Sequence, residues 1–261
     1  MIKIGIGGWT FEPWRGVFYP HQLPQARELA YAAEKLTGIE VNGTYYGTQK
    51  PATFRKWASE VPDGFLFSLK APRFATNRRI LAEAGPSIEK FVESGIAELG
   101  EKLGPILWQF MPTKKFDPGD FAAFLDLLPQ QASGLPLRHA VEVRHDTFKT
   151  EEFLSLVRAR NVAAVYAHSD EYPQIADPTA DFVYARLMKT RVDVDTGYTA
   201  SELDGWAARI RVWEAGGVPE DLPLLAGKPP KAKRDCFIFF ISGAKMRAPA
   251  AAMALLERLD F

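Results

Sequence analysis

The stretch AVEVRHDTF, Ala140 to Phe148, opens as a buried strand and ends as a charged loop. Successive side chains of a strand point to opposite faces, so Val141 and Val143 share one row of the pleat. Glu142 and Arg144 share the other, and His145 and Asp146 follow directly. A row of opposite charges inside an apolar strand makes physical sense only if that row faces something other than a plain core. What it faces depends on the elements on either side.

Working outward, short apolar runs alternate with amphipathic stretches. Strand candidates lie at 2 to 7 (IKIGIG), 38 to 42 (GIEVN), 65 to 70 (FLFSLK), 105 to 110 (PILWQF), 138 to 144 (RHAVEVR), 162 to 167 (VAAVYA), 181 to 187 (DFVYARL) and 236 to 241 (CFIFFI). Helical periodicity fills 24 to 36, 51 to 60, 86 to 102, 118 to 128, 149 to 160, 200 to 215 and 247 to 258. The sixth gap, 168 to 180, is short and rich in Asp and Pro, so the sixth unit reads as incomplete. GKPPKAKRD (227 to 235) reads as a solvated loop. Strands alternating with helices imply a parallel sheet. Eight such units in about 250 residues match an α/β fold of the TIM type, a (β/α)8 barrel. The competitor is an open doubly wound sheet with GIGGW as a dinucleotide fingerprint; it lacks the third glycine, and aromatic residues and Pro13 follow where a helix should begin.

Composition bounds the function. A chain of 261 residues can bury a large core, and one domain over 1 to 261 is expected. Net charge is zero and the isoelectric point about 6.9, so the molecule as a whole gives no electrostatic reason to seek nucleic acid or an anionic membrane. The single cysteine, Cys236, abuts an apolar run and can form no intrachain disulfide, which suits a reducing compartment. No apolar run is long enough for a signal peptide or a membrane span. A cytoplasmic protein with no membrane association is expected; the oligomeric state is left open.

In a barrel, alternate residues of each strand point to the helices or into the interior. Glu142 and Arg144 therefore point inward. The same alternation places Glu40 and Asn42, Ser68 and Lys70, Gln109, and Tyr184 and Arg186 on inner rows, assigns Tyr166 and His168 there too, and ends the last inner row at Ser242. These polar residues gather at strand C-termini, the end at which barrel enzymes build their active sites. Charge continues into the loops above at Arg73, His145, Asp170, Lys189, Arg191, Lys245 and Arg247. The competing reading is a self-satisfied network in which Glu40 and Glu142 are neutralised by Lys70, Arg144 and Arg186.

GGW (7 to 9), WRGVFYP (14 to 20), IEVNGTYY (39 to 46), FSLKAPR (67 to 73), KLGPILWQF (102 to 110), AVEVRH (140 to 145), YARL (184 to 187) and AMALLERL (252 to 259) together resemble the YecE-like family of uncharacterised TIM-barrel proteins, domain of unknown function seventy-two. The resemblance implies a TIM barrel and a site including Glu40, Asn42, Lys70, Arg73, Gln109, Glu142, Arg144, His145 and Arg186. It implies no reaction. The chain departs from the family pattern at Gly47 and Asn77, where Arg and His are usual, at Met188 and Lys189 in place of His-Gly, and at Ile241 and Ser242 in place of an Asn pair.

Clustered Arg and Lys suit a phosphate or carboxylate, which guanidinium groups bind bidentately. The expected ligand is thus a small anionic or phosphorylated compound, held by Asn42, Lys70, Arg73, Gln109, Arg144, His168, Asp170, Arg186 and Ser242. Glu40, Glu142 and His145 are the expected acid and base groups, with Glu142 ionised beside Arg144 and Glu40 the better acid. Such an enzyme would be a hydrolase or lyase needing no cofactor. One alternative is a metal-dependent phosphoesterase or nuclease-like hydrolase, a single divalent ion being held by His145 and His168 with Glu142 or Asp170. With only four histidines a trinuclear site is not expected. Others are a glycosidase-like hydrolase using both glutamates with aromatic stacking, or a barrel that binds a ligand or nucleic acid without turnover.

Overall fold

The computed structural model describes residues 1–260. Eight strand positions form its sheet: β1 Ile2–Gly7, β2 Gly38–Val41, β3 Leu66–Lys70, β4 Leu103–Gln109, β5 His139–Glu142, β6 in two pieces at Ala163–Ala164 and Tyr166–His168, β7 Phe182–Leu187 and β8 Asp235–Phe240. Neighbours pair in parallel all the way round, and β8 returns to β1 through Ile2 opposite Cys236 and Ile6 opposite Phe240. The first piece of β6 pairs with β5 and the second with β7. The ring is therefore a TIM-type barrel whose sixth strand is broken at Val165, where the main-chain N–H still reaches the carbonyl of Val141 at 2.9 Å.

Each strand is buried on both faces, as a parallel sheet covered by helices requires. The outer row, including Ile4, Ile39, Leu69, Trp108, Val141, Ala185 and Ile238, joins the main core with the helices. A separate inner cluster fills the lower barrel with Leu107, Ala140, Val165, Phe182, Tyr184, Phe237 and Phe239. Gly5 holds the inner row of β1 where β1 and β2 approach most closely. A Cβ there would lie 1.8 Å from the carbonyl oxygen of Gly38.

The helices are α1 Glu28–Lys35, α2 Gly43–Tyr46, α3 Pro51–Ser59, α4 Arg73–Thr76, α5 Gly85–Val92, α6 Pro118–Asp126, α7 Glu151–Arg158, α8 Ala200–Glu214 and α9 Ala248–Glu257. Local chemistry sets several starts: the side chains of Asp117, Thr150 and Thr199 accept main-chain N–H groups at the first turns of α6, α7 and α8. Thr199 and Glu202 complete a capping box. The helix expected over 86 to 102 breaks after α5, because Gly95 turns with a φ of 105° against Pro51 and short 3-10 turns follow over Ile96–Lys102. α2, α4 and a small hairpin at 131–136 are too short to leave a periodic signal.

No helix lies between β6 and β7, in keeping with the incomplete unit read from the sequence. Hydrogen bonds stand in for it: the Tyr166 hydroxyl donates to Gln174 Oε1 at 2.8 Å, and the buried Asp177 carboxylate accepts from the main-chain N–H groups of Leu225 and Ala226 at 2.8 and 3.0 Å. Cys236 is buried, and burial pushes its thiol up to about 12, which leaves it unreactive. Among the described residues no helix is long and apolar enough to cross a membrane.

Candidate functional site

Above the apolar inner cluster, β2, β5 and β7 converge three charged side chains. Arg186 is the hub. Its Nε and Nη2 donate to Glu40 Oε2 and Oε1 at 3.0 and 2.9 Å, a bidentate pair, and its Nη1 donates to Glu142 Oε2. Both glutamates are fully buried and Arg186 nearly so. Strand alternation explains the meeting: Glu40 and Arg186 occupy inner positions one residue before the C-terminal ends of β2 and β7, and Glu142 is the inner residue that ends β5.

Neighbouring inner residues complete the shell. The Tyr184 hydroxyl donates to Glu40 Oε2 at 2.8 Å and lies 2.7 Å from the hydroxyl of Ser68. The Gln109 amide donates to both oxygens of Glu142 at 3.1 and 3.2 Å, and Arg144 Nε donates to Glu142 Oε1 at 2.6 Å. Burial most strongly opposes ionisation of Glu142, but the charges of Arg186 and Arg144 and the hydrogen bonds from Arg144 and Gln109 outweigh it. The carboxyl is held down at about 2. Ionisation of Glu142 is thus favoured at neutral pH by the two guanidiniums beside it.

Lys70 stands at the top of β3, 8% exposed, with its ammonium 4.0 Å from the centre of the Tyr45 ring. Among the described residues no carboxylate lies within ion-pair distance of it. Burial first, then the adjacent Arg186, bring its amine down to about 8, with Arg144 acting in the same direction and Glu40 and Glu142 opposing. Arg144 continues upward to stack on Tyr172, 4.1 Å from its ring centre, and donates through Nη1 to the Tyr172 hydroxyl at 3.3 Å. Beside this group a cleft of about 270 Å³ runs along the ends of β1 and β2, lined by Gly7, Trp9, Asn42, Gln49, Trp57 and Lys245. Larger hollows of about 670 and 490 Å³ lie at the opposite end of the barrel, around Met1, Arg138 and Asp235. Several of the charges there are paired: the N-terminal amine with Glu214 and Asp235, and Arg138 with Asp235.

The structure thus brings together Glu40, Lys70, Gln109, Glu142, Arg144 and Arg186, with Asn42 at the edge of the cleft. Other expected members lie elsewhere. Tyr166 and His168 do share a row, but it is the outer one: Tyr166 contacts Trp206 and Trp213, and His168 contacts Trp206 and Tyr198, all on or before α8. Burial, with the charges of Lys189 and Arg209, lowers His168 to about 4. Ser242 has the wrong phase, since Phe237, Phe239 and Ile241 form the inner row of the last strand. It sits exposed in a turn with a φ of 63°. Ile241 instead closes the top of the apolar column where the family pattern has a polar residue.

His145 caps the short turn Asp146–Phe148, its Nδ1 accepting from the main-chain N–H of Thr147 at 3.2 Å. Asp170 is exposed and paired with Lys189, and Arg73 is exposed beside Phe74. Of the remaining departures from the family pattern, Gly47 lines a separate hollow with Phe74 and Lys90, Asn77 is exposed and Met188 is buried. The ligand set drawn from His145, His168, Glu142 and Asp170 is not assembled, and among the described residues no three His, Cys, Asp or Glu side chains form a metal-binding group. Tyr184 and Tyr172 are contributors that the expected residue set omitted. Tyr184 was legible, two residues before Arg186 on the same row; Tyr172 lies in the helix-free segment, where no periodicity points to it.

The sequence pattern that defines the family described as "Protein of unknown function DUF72" matches residues 3–261. The chain is similar to the UPF0759 protein YunF of Bacillus subtilis, 26% identical over 185 residues covering 68% of this chain; the match spans 63% of that relative, less than two thirds of its length. Among solved structures it is similar to a DUF72 family protein from Thermotoga maritima, with a TM-score of 0.76, 21% identity and 100% of both chains covered. It is also similar to one from Enterococcus faecalis, with a TM-score of 0.72, 18% identity, and 100% of this chain and 96% of that one covered. At such identities the structural likeness is one of fold.

Proposed function

Because the chain belongs to the DUF72 family, whose description names no reaction, we propose from the site itself that it binds a small anionic compound, carboxylated or phosphorylated, at the C-terminal mouth of the barrel and acts on it by acid and base chemistry. Lys70 is the observation that carries this reading. In the buried group, the two carboxylates of Glu40 and Glu142 are matched by the two guanidiniums of Arg186 and Arg144. The Lys70 ammonium is left over, nearly buried and with no counter-charge of its own. A buried charge without a partner is costly, and an anion entering the mouth removes that cost.

The division of roles shifts accordingly. Arg186 is committed to the two glutamates and serves the network rather than the ligand. Glu40 is held bidentately by that guanidinium. The group in the mouth able to exchange a proton near neutral pH is Lys70. A glycosidase-like mechanism is less favoured, since it needs one carboxyl free to protonate a leaving group and both carboxyls here are engaged by Arg186.

Thermal unfolding in rising sulfate or inorganic phosphate tests the reading. Wild type should gain stability with anion concentration, with a response that fades as pH rises past about 8 and Lys70 loses its proton. Lys70→Met should lose the response. Equal stabilisation of the two proteins would overturn the proposal.

A further inference from the structure

Resting on the anion-binding reading, we infer that Lys70 is a nucleophile toward carbonyl carbon, and that the compound taken at the mouth is an aldehyde or ketone carrying a carboxylate or phosphate. The geometry that supports this is threefold. First, the Lys70 side chain is only 8% exposed and its amine lies against the face of Tyr45, with no carboxylate within ion-pair distance. Second, two guanidiniums, Arg186 and Arg144, face it from β7 and from the end of β5, while the glutamates that also face it, Glu40 and Glu142, are already taken up by those same guanidiniums. A lysine desolvated beside other cations is the arrangement that frees an amine lone pair at neutral pH; its amine is accordingly brought down to about 8. Third, Arg144 is 17% exposed, and its remaining guanidinium edge, held only by the Tyr172 hydroxyl at 3.3 Å, can receive the anionic group.

The step balances without an oxidant or reductant. The neutral amine adds to the carbonyl carbon, forming a C–N bond as the nitrogen proton passes to the carbonyl oxygen. The resulting hydroxyl takes a second proton from solvent and leaves as water, and the nitrogen lone pair closes a protonated imine. That imine withdraws electrons from the adjacent carbon, which assists loss of a proton or cleavage of a carbon–carbon bond there.

Reductive trapping on the intact protein is the test. Glyoxylate with cyanoborohydride at neutral pH delivers hydride to any imine carbon and leaves a stable carboxymethyl group, mapped by peptide mass spectrometry. Lys70 should be labelled roughly ten- to a hundredfold faster than the exposed Lys50 and Lys231, since an amine brought down to about 8 is partly free at neutral pH. Its rate should level off above about pH 8. Labelling of Lys70 no faster than Lys50 would overturn the inference, and would do so even if sulfate stabilises the protein and the anion-binding reading stands. Preferential labelling in a protein that sulfate does not stabilise would support the nucleophile and overturn the anion-binding reading instead.

Discussion

Arg186 holds two carboxylates that would otherwise face each other in the barrel interior. Removing it strands both charges, so Arg186→Met should cost about 3–5 kcal/mol or more, read from the urea midpoint. Tyr184→Phe deletes one hydroxyl between Ser68 and Glu40 and should cost about 1–2 kcal/mol. The acid limb follows from Glu142, whose folded-state value of about 2 lies below its ordinary 4.5. Its contribution is fully present above about pH 4.5 and is lost as pH falls toward 2. Glu142→Gln should therefore lower stability at neutral pH and flatten the decline in that window; an unchanged decline would mean that other carboxylates set it. These residues were readable in the sequence because one parity rule applied to apolar rows fixes the opposite, polar row. Whether their charges cancel was not readable, since cancellation depends on contacts between strands far apart in the chain.

At the scale of elements, the clearest misreading is β6. In VYAHSD apolar and aromatic residues occupy both rows, so alternation gives no phase. Contact with Trp206 and Trp213 decides it by turning Tyr166 and His168 outward onto α8. The consequence is a second pH dependence unrelated to the mouth. His168 is held neutral, with a folded value of about 4 against 6.5, so stability falls as pH drops from about 6.5 through 4. His168→Phe should reduce that slope in thermal unfolding while leaving the anion response intact. The start of α8 rests on Thr199 and Glu202, and Thr199→Ala should cost about 1 kcal/mol. α2 and α4, each a single turn, fall below what periodicity can register.

At the scale of the whole molecule, the count and order of βα units carried the barrel, because parallel neighbours joined through helices leave few other ways to bury both faces of every strand. Closure depends on a detail that pattern reading passes over. With Gly5 pressed to the backbone of β2, Gly5→Ala should force the first two strands apart and sharply reduce the yield of folded protein, although it adds only a methyl group. The missing helix after β6 has a consequence of another kind. Most of the ring is a continuous hoop, but at Val165 it is spliced, and the strap over the splice is fastened by Asp177 to the main chain at Leu225 and Ala226. A hoop of this construction has a preferred place to part. Deuterium should enter the amides of β6 before those of β1 and β8, and unfastening the strap with Asp177→Asn should widen that gap, making the sixth strand the latch by which the barrel opens.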